Sequence, residues 1–255
     1  MIKKTLFLIV FFLSCGPASN YSNIKVLDVI DGDTIKLSNG ELVRYIGIDT
    51  PEIRIKQGGE FVYSPQPFSL EAKDFNVKLV QGKYVRVEFD VEKKDIYGRL
   101  LGYCFVDGVL VNSELIKNGY AVLLTMPPNV KYAEEFVKLQ KEARIRKRGL
   151  WADYEVISHL KSSESINQIK RVRGKVLNTY RSKKCIFLNF GKNWKTDFTV
   201  VIFNNVIDSF YEKDIDPLNY YTGKIVEISG RIKEYNGPEI IVNSPYEIEV
   251  IDGDE

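Results

Sequence analysis

Three short polar clusters follow one another early in the chain: Asp31-Gly32-Asp33-Thr34, then Arg44 with Asp49-Thr50-Pro51-Glu52, then Asp95-Ile96-Tyr97-Gly98-Arg99. Together they hold what phosphodiester cleavage needs: oxygen ligands for a hard cation, a further carboxylate to handle a water, and guanidinium groups for the charge of a pentavalent phosphorane. Asp33 and Asp49 are separated by a hairpin and can converge at one end of a small barrel. With the Thr50 carbonyl they make a Ca2+ site, water and substrate phosphate supplying the remaining ligands. Glu52 is placed to act as general base on a water near that cation, positioning supplying what its low intrinsic pKa does not. Arg44 and Arg99 can each donate two hydrogen bonds to phosphate oxygens in a geometry lysine does not reproduce. Any one of these residues taken alone is more simply a turn residue or a surface ion pair.

Other chemistries lack their ingredients. The single histidine, His159, sits in a polar stretch, which removes histidine-base mechanisms and His-rich zinc sites. Cys104 and Cys185 lie far apart in no metal-ligand spacing and read as buried strand residues rather than a disulfide framework. Met1 to Leu13 carries Lys3 and Lys4 ahead of an apolar run that is too short to span a bilayer and reads as an export signal. Phe12-Leu13-Ser14-Cys15 resembles a bacterial lipobox, so Cys15 is the expected lipidated first residue of a membrane-anchored mature protein; cleavage near Ala18 with release is the alternative. The formal charge is +2 and includes both leader lysines, so a mature chain is near neutral and bulk charge does not announce a nucleic-acid binder. Lys138, Lys141, Arg144, Arg146, Lys147 and Arg148 form a basic run, read as a solvated helix face, and Asp252, Asp254 and Glu255 an acidic tail.

A chain of 255 residues, 44% of them hydrophobic, suits two modest cores. β-Branched residues flank the Asp31-Gly32-Asp33 turn, and Asn39-Gly40 marks a hairpin into a strand over Leu42 to Ile48. Residues 53–67 read as a long loop beside the site. Ala72, Phe75 and Leu79 give an amphipathic helix ending at Gly82; strands follow over Tyr84 to Phe89 and Leu100 to Val106. A short helix after Asn112 stops at Gly119, and a longer one after Asn129 carries a core stripe of Tyr132, Phe136, Leu139 and Ala143. The division expected is a leader and tether over 1–22, a first domain over 23–154 with five strands and about three helices, a linker over 155–165, and a second domain over 166–255. The second domain reads as five strands, with a helix near Asn205 to Glu212 between the third and fourth, as in an oligonucleotide-binding (OB) barrel. Its Tyr180, Phe187, Phe190, Trp194, Phe198 and Tyr235, interleaved with Lys and Arg, are candidate stacking platforms for single strands, core packing accounting for about half of them.

VIDGDTIKL (Val29 to Leu37), VRYIGIDTPE (Val43 to Glu52), DIYGR (Asp95 to Arg99), YCFVDGVLVNSELIKNG (Tyr103 to Gly119) and Gly149-Leu150-Trp151 resemble, in order, the staphylococcal nuclease (thermonuclease) family. The resemblance implies an OB-type barrel with helices for the first domain. It also implies Asp33, Asp49 and the Thr50 carbonyl as calcium ligands, Glu52 as general base, Arg44 and Arg99 as phosphate-binding arginines, and Tyr97 as a nucleotide-contacting tyrosine. The activity it implies is endonucleolytic hydrolysis of DNA and RNA leaving 3′-phosphate ends, with no obligate protein partner. Where the staphylococcal enzyme has a tyrosine-rich segment, this chain has Leu123-Leu124-Thr125-Met126-Pro127-Pro128. The expected fold is mostly β with helices, an OB-type five-stranded barrel followed by a second OB-fold-like barrel. The competing readings are a non-catalytic nucleic-acid-binding protein of two OB-type domains, against which the intact acidic and arginine set counts, and an envelope protein binding another protein or a glycan.

Overall fold

The structure, a computed structural model, describes residues 21–152 and 155–251; the leader with Cys15 and the acidic tail from Asp252 lie outside the described residues. The first strand, β1 (Ile24–Asp31), buries Ile24 and Val26 and then, after a register shift, Val29. Such a bulge adds a residue to one strand and bends it, as closure of a small barrel requires. β2 (Thr34–Leu37) returns antiparallel to β1, and β3 (Leu42–Tyr45) follows through a turn at Gly40, φ 88°.

The single strand expected over Leu42 to Ile48 is broken. Gly47 adopts φ 81°, and a Cβ there would meet the Phe136 ring at 2.6 Å, so only glycine permits the corner that starts β4 (Gly47–Asp49). The expected loop over 53–67 also contains structure, a hairpin of β5 (Arg54–Gln57) and β6 (Glu60–Tyr63). Gly58 and Gly59, both at positive φ, supply its turn. Its residues are nearly all exposed, which is why no alternation announced it.

α1 (Ser69–Val80), β7 (Tyr84–Glu88), β8 (Leu100–Val106), β9 (Val109–Leu110), α2 (Val111–Lys117), β10 (Val122–Leu124) and α3 (Ala133–Ile145) complete the first unit. The sheet order β3-β2-β1-β7-β8 is closed by a parallel β3–β8 pairing, Arg44 lying opposite Leu101, so five strands form a barrel. β10 pairs with β4, placing Val122 opposite Asp49. The expected α3 stripe is present: Phe136 and Ala143 are buried, Tyr132 and Leu139 partly so. Cys104 and Cys185 are both buried and free, in β8 and a later strand.

The second unit has its own core, which includes Val172, Ile186, Leu188, Val200, Phe210, Ile228 and Ile240. The stretch expected to be a bare linker is structured: β11 (Val156–Ser158) pairs parallel to β12 (Ile169–Lys175), with a 3-10 turn over His159–Ser165 between them. Four more strands, β13 (Asn178–Arg181), β14 (Cys185–Asn189), β15 (Thr199–Phe203) and β16 (Ile225–Arg231), follow, with α4 (Ile207–Tyr211) between β15 and β16, where the helix was expected. β17 (Lys233–Glu234), β18 (Pro238–Val242) and β19 (Ile248–Val250) end the described chain; the last expected strand is thus split by a turn at Pro245–Glu247. The two sheets are ordered β11-β12-β16-β19 and β13-β14-β15-β18-β17, with β15 and β18 parallel.

The units touch through an apolar cluster of Ile169 with Val122, Ala143, Leu150 and Trp151, and through polar contacts. Thr125 N–H donates to Glu247 Oε1 at 2.8 Å, and Lys213 Nζ to Glu134 Oε1 at 2.7 Å. Arg144 Nη2 and Arg171 Nη2 both donate to Glu249 Oε2 at 2.8 Å. The basic run is therefore not simply a solvated face: Arg144 is committed to the second unit, and Arg146 and Arg148 both pair with Glu142.

Candidate active site

The turn from β1 to β2 delivers Asp33, the corner at Gly47 delivers Asp49 and Thr50, and β3 delivers Arg44, which lies opposite Thr34. These side chains meet. Arg44 Nη1 is 2.6 Å from Asp33 Oδ2 and its Nη2 is 2.9 Å from Asp49 Oδ1, so one guanidinium bridges both carboxylates. A further bond from Nη1 to the Ile48 carbonyl at 3.0 Å fixes its plane. Asp33 Oδ2 also accepts from the Thr50 N–H and hydroxyl, both at 3.0 Å. Gly32 makes this approach possible, since a Cβ there would lie 2.7 Å from Thr50 Oγ1.

Burial pushes the Asp33 carboxyl well above the usual carboxylate range; Arg44 pulls it back, and Asp31, Asp49 and Glu52 add to the rise. Glu52 is raised for the same first reason, partial burial, with Asp49 and Asp31 adding and Arg231 and Arg44 opposing. Four carboxylates thus crowd one end of the barrel. The backbone of Glu52 is pinned by Gln66, whose Oε1 accepts from the Glu52 N–H at 2.9 Å and whose N–H donates to the Glu52 carbonyl at 2.9 Å.

Arg99 and Tyr97 are not part of this knot. They ride on the turn between β7 and β8, where Asp95 Oδ1 accepts the N–H of each at 2.9 Å and Asp95 Oδ2 accepts from Arg99 Nε at 2.7 Å. Tyr97 is 78% exposed, with the Arg99 guanidinium 5.6 Å from its ring centroid. Because Leu101 lies opposite Arg44 in a parallel pairing, Arg99, just before the start of β8, stands two residues, about 7 Å, to the N-terminal side of that level.

Sequence reasoning missed Gln66 and, from the second unit, one further participant. Arg231, the last residue of β16 in the second unit, extends Nη2 to Asp49 Oδ2 at 3.2 Å and to the Thr50 carbonyl at 3.5 Å, with Glu52 Oε1 at 3.7 Å. Its Nη1 donates to Gln66 Oε1 and to the Asn167 carbonyl, both at 3.0 Å. No local signal marks it, because its partners in the acidic cluster and Gln66 lie more than 160 positions away.

Among the described residues, no three acidic, His or Cys side chains form a cation site by themselves. The donor set nevertheless fits a hard cation. Asp33 Oδ2, both oxygens of Asp49 and the Thr50 carbonyl are all oxygen donors, and each already touches a guanidinium. Positive charge stands where a cation was expected.

A family model described as "Staphylococcal nuclease homologue" matches residues 42–153, a span that takes in Arg44, Asp49, Thr50, Glu52, Tyr97 and Arg99 but begins after Asp33. The chain is 37% identical over 146 residues to a thermonuclease of Staphylococcus hyicus, covering 56% of this chain and 83% of that protein. It is 41% identical over 128 residues to the SPbeta prophage-derived endonuclease YokF of Bacillus subtilis, covering 48% of this chain and 42% of that one. It is 39% identical over 135 residues to endonuclease YncB of the same organism, covering 51% of this chain and 62% of that protein. The chain thus spans less than two thirds of either Bacillus relative. A closed five-stranded barrel, the acidic knot at its end and this breadth of identity to a relative covered over most of its length lead to one assignment: the chain belongs to the staphylococcal nuclease family.

Proposed function

We propose that the chain is a Ca2+-dependent nuclease that hydrolyses phosphodiester bonds of DNA, and of RNA, leaving 3′-phosphate ends. The observation that carries this reading is the Arg44 bridge between Asp33 and Asp49, with Thr50 bonded to Asp33 and Glu52 alongside. Asp33, Asp49 and the Thr50 carbonyl would hold the cation. When bound, Ca2+ supplies Lewis-acid polarisation of the phosphate and lowers the cost of forming a nucleophile from water. Glu52 takes the proton of the attacking water; its raised carboxyl is a better base than a free glutamate. Arg44 and Arg99 approach the phosphate from two sides and stabilise the charge of the phosphorane, a contribution of about 3 kcal/mol each by analogy with other preorganised donors. Tyr97, exposed beside Arg99, contacts the adjoining nucleotide.

The division into a nuclease unit and a smaller second unit, with an export leader lipidated at Cys15, belongs to the same proposal and makes the enzyme an envelope or secreted scavenger of external nucleic acid. The test is digestion of single- and double-stranded DNA and of RNA with Ca2+ and with chelator, beside Glu52→Gln and Arg99→Ala. Calcium-dependent cutting that collapses in both variants supports the reading. Binding without cutting in any metal would replace it with a two-unit binding protein.

A further inference from the structure

The five-stranded sheet of the second unit has two unlike faces. One face, with Ile186, Leu188, Val200, Ile202, Ile240 and Val242, is core. The other carries a transverse row set by register: Asn178 opposite Asn189, Asn189 opposite Thr199, and Thr199 opposite Glu239. Beside that row Tyr180 lies opposite Phe187, their rings 6.4 Å apart and nearly parallel at 21°. Two loops rise at the sides, bringing Trp194 and Tyr235, and the result is a cleft of about 520 Å³.

Of the six aromatic residues expected as platforms, Phe190 and Phe198 are core, whereas Tyr180, Trp194 and Tyr235 are 62%, 57% and 73% exposed around this cleft. Large aromatic faces left in water on a sheet that already has its core need a ligand to account for them. They are also held in place. Asn193 N–H donates to Asp197 Oδ2 at 2.9 Å, and the Tyr235 turn packs so closely on the Trp194 loop that a Cβ on Gly237 would meet the Thr196 backbone at 2.9 Å.

The lining chemistry selects a class of ligand. Asn178 and Asn189 are joined by one hydrogen bond at 2.8 Å, and each amide keeps further donor and acceptor capacity for the edge of a planar heterocycle. Glu239 in the lining would repel a phosphate but accepts from base amino groups. Phosphate-directed cations lie around the cleft instead: Lys192 and Lys195 on the Trp194 loop, the latter with Nζ 5.5 Å from the Trp194 ring centroid, and Lys233 on β17. The cleft is also tied to the catalytic cluster. Tyr235 follows Arg231 by four residues, at most about 13 Å of extended chain, and Arg231 is bonded to Asp49 and Thr50.

We propose that this cleft is a stacking site for unpaired nucleobases of a single-stranded polynucleotide, so that the second unit grips the strand that the first unit cuts. The proposal rests on the nuclease reading for its substrate class. Tyr180, Trp194 and Tyr235 provide the stacking faces, the asparagine pair and Glu239 the base-edge contacts, and the surrounding lysines the backbone contacts.

The two tryptophans make the test direct. Trp151 is 4% exposed, so quenching by an added oligonucleotide reports Trp194. The full chain is titrated, in chelator to stop cutting, with oligodeoxycytidylate of about 12 nucleotides, whose bases carry the amino group Glu239 would accept from, within the ~4–16 nucleotide footprint of comparable sites. The expected result is saturable, salt-sensitive quenching. It is lost in Trp194→Phe, and the Kd rises at least about tenfold in Tyr180→Ala and in Tyr235→Ala with unchanged melting temperature. The proposal is overturned by absent quenching, by unchanged affinity in both tyrosine variants, or by quenching with a chito-oligosaccharide and not with the oligonucleotide. Calcium-stimulated digestion measured on the same preparation separates the two readings. Digestion without quenching removes the cleft, and quenching without digestion removes the nuclease.

Discussion

Arg44 carries more of the site than a phosphate-binding arginine alone would. Its two nitrogens hold Asp33 and Asp49 together, and both carboxylates are largely shielded from water. Arg44→Ala would leave Asp33 without its counter-charge and Asp49 with Arg231 alone, so we expect loss of about 3 kcal/mol of stability in urea unfolding as well as loss of cutting. Gly32→Ala makes a sharper test of geometry. The new methyl would press on Thr50, moving the N–H and hydroxyl that hold Asp33; we expect about 2 kcal/mol of destabilisation and severe loss of activity, read by urea titration beside a nuclease assay. Most of the residues in this knot were legible in the sequence because Asp, Arg, Thr and Glu at those spacings each have a job in phosphoryl chemistry. Gln66, which clamps Glu52, was not, because an amide in a Gly- and Pro-rich stretch looks like any loop residue.

At the scale of elements, hairpins with turn signals and helices with a buried stripe were legible, since both write their period into the sequence. The β5–β6 hairpin faces solvent on both sides, and the corner at Gly47 depends on Phe136 from a distant helix; neither leaves a periodic trace. β16 is the extreme case. It was recognisable as a strand, yet nothing in it said that its last residue reaches the first unit's acidic cluster. Because the Arg231 guanidinium sits on Asp49 and the Thr50 carbonyl, it would compete with the proposed Ca2+ for those oxygens, and calorimetric titration should find Ca2+ bound several-fold more tightly by Arg231→Gln. The Asp95 turn makes the opposite kind of prediction. Removing its three hydrogen bonds in Asp95→Ala should release Arg99, lowering kcat while costing only about 1 kcal/mol of stability, because the turn is near the surface.

For the molecule as a whole, Glu247 links the units by accepting the Thr125 N–H from one and the Asn243 N–H from the other. Burial raises its carboxyl from 4.5 to about 8. A carboxyl that holds its proton more tightly when folded gives stability that is complete below about 4.5 and disappears as the pH rises through about 8. The urea midpoint of the wild type should therefore decline across that window, and Glu247→Gln, which cannot ionise, should flatten the decline. The pairing of Asp49 with Arg231 across 182 positions also has a meaning in time. A ribosome adding ~5–20 residues per second makes Arg231 roughly 10 to 40 s after Asp49. A first unit that folded within that interval would present its acidic cluster without the distant guanidinium, and would be the form most open to the proposed cation.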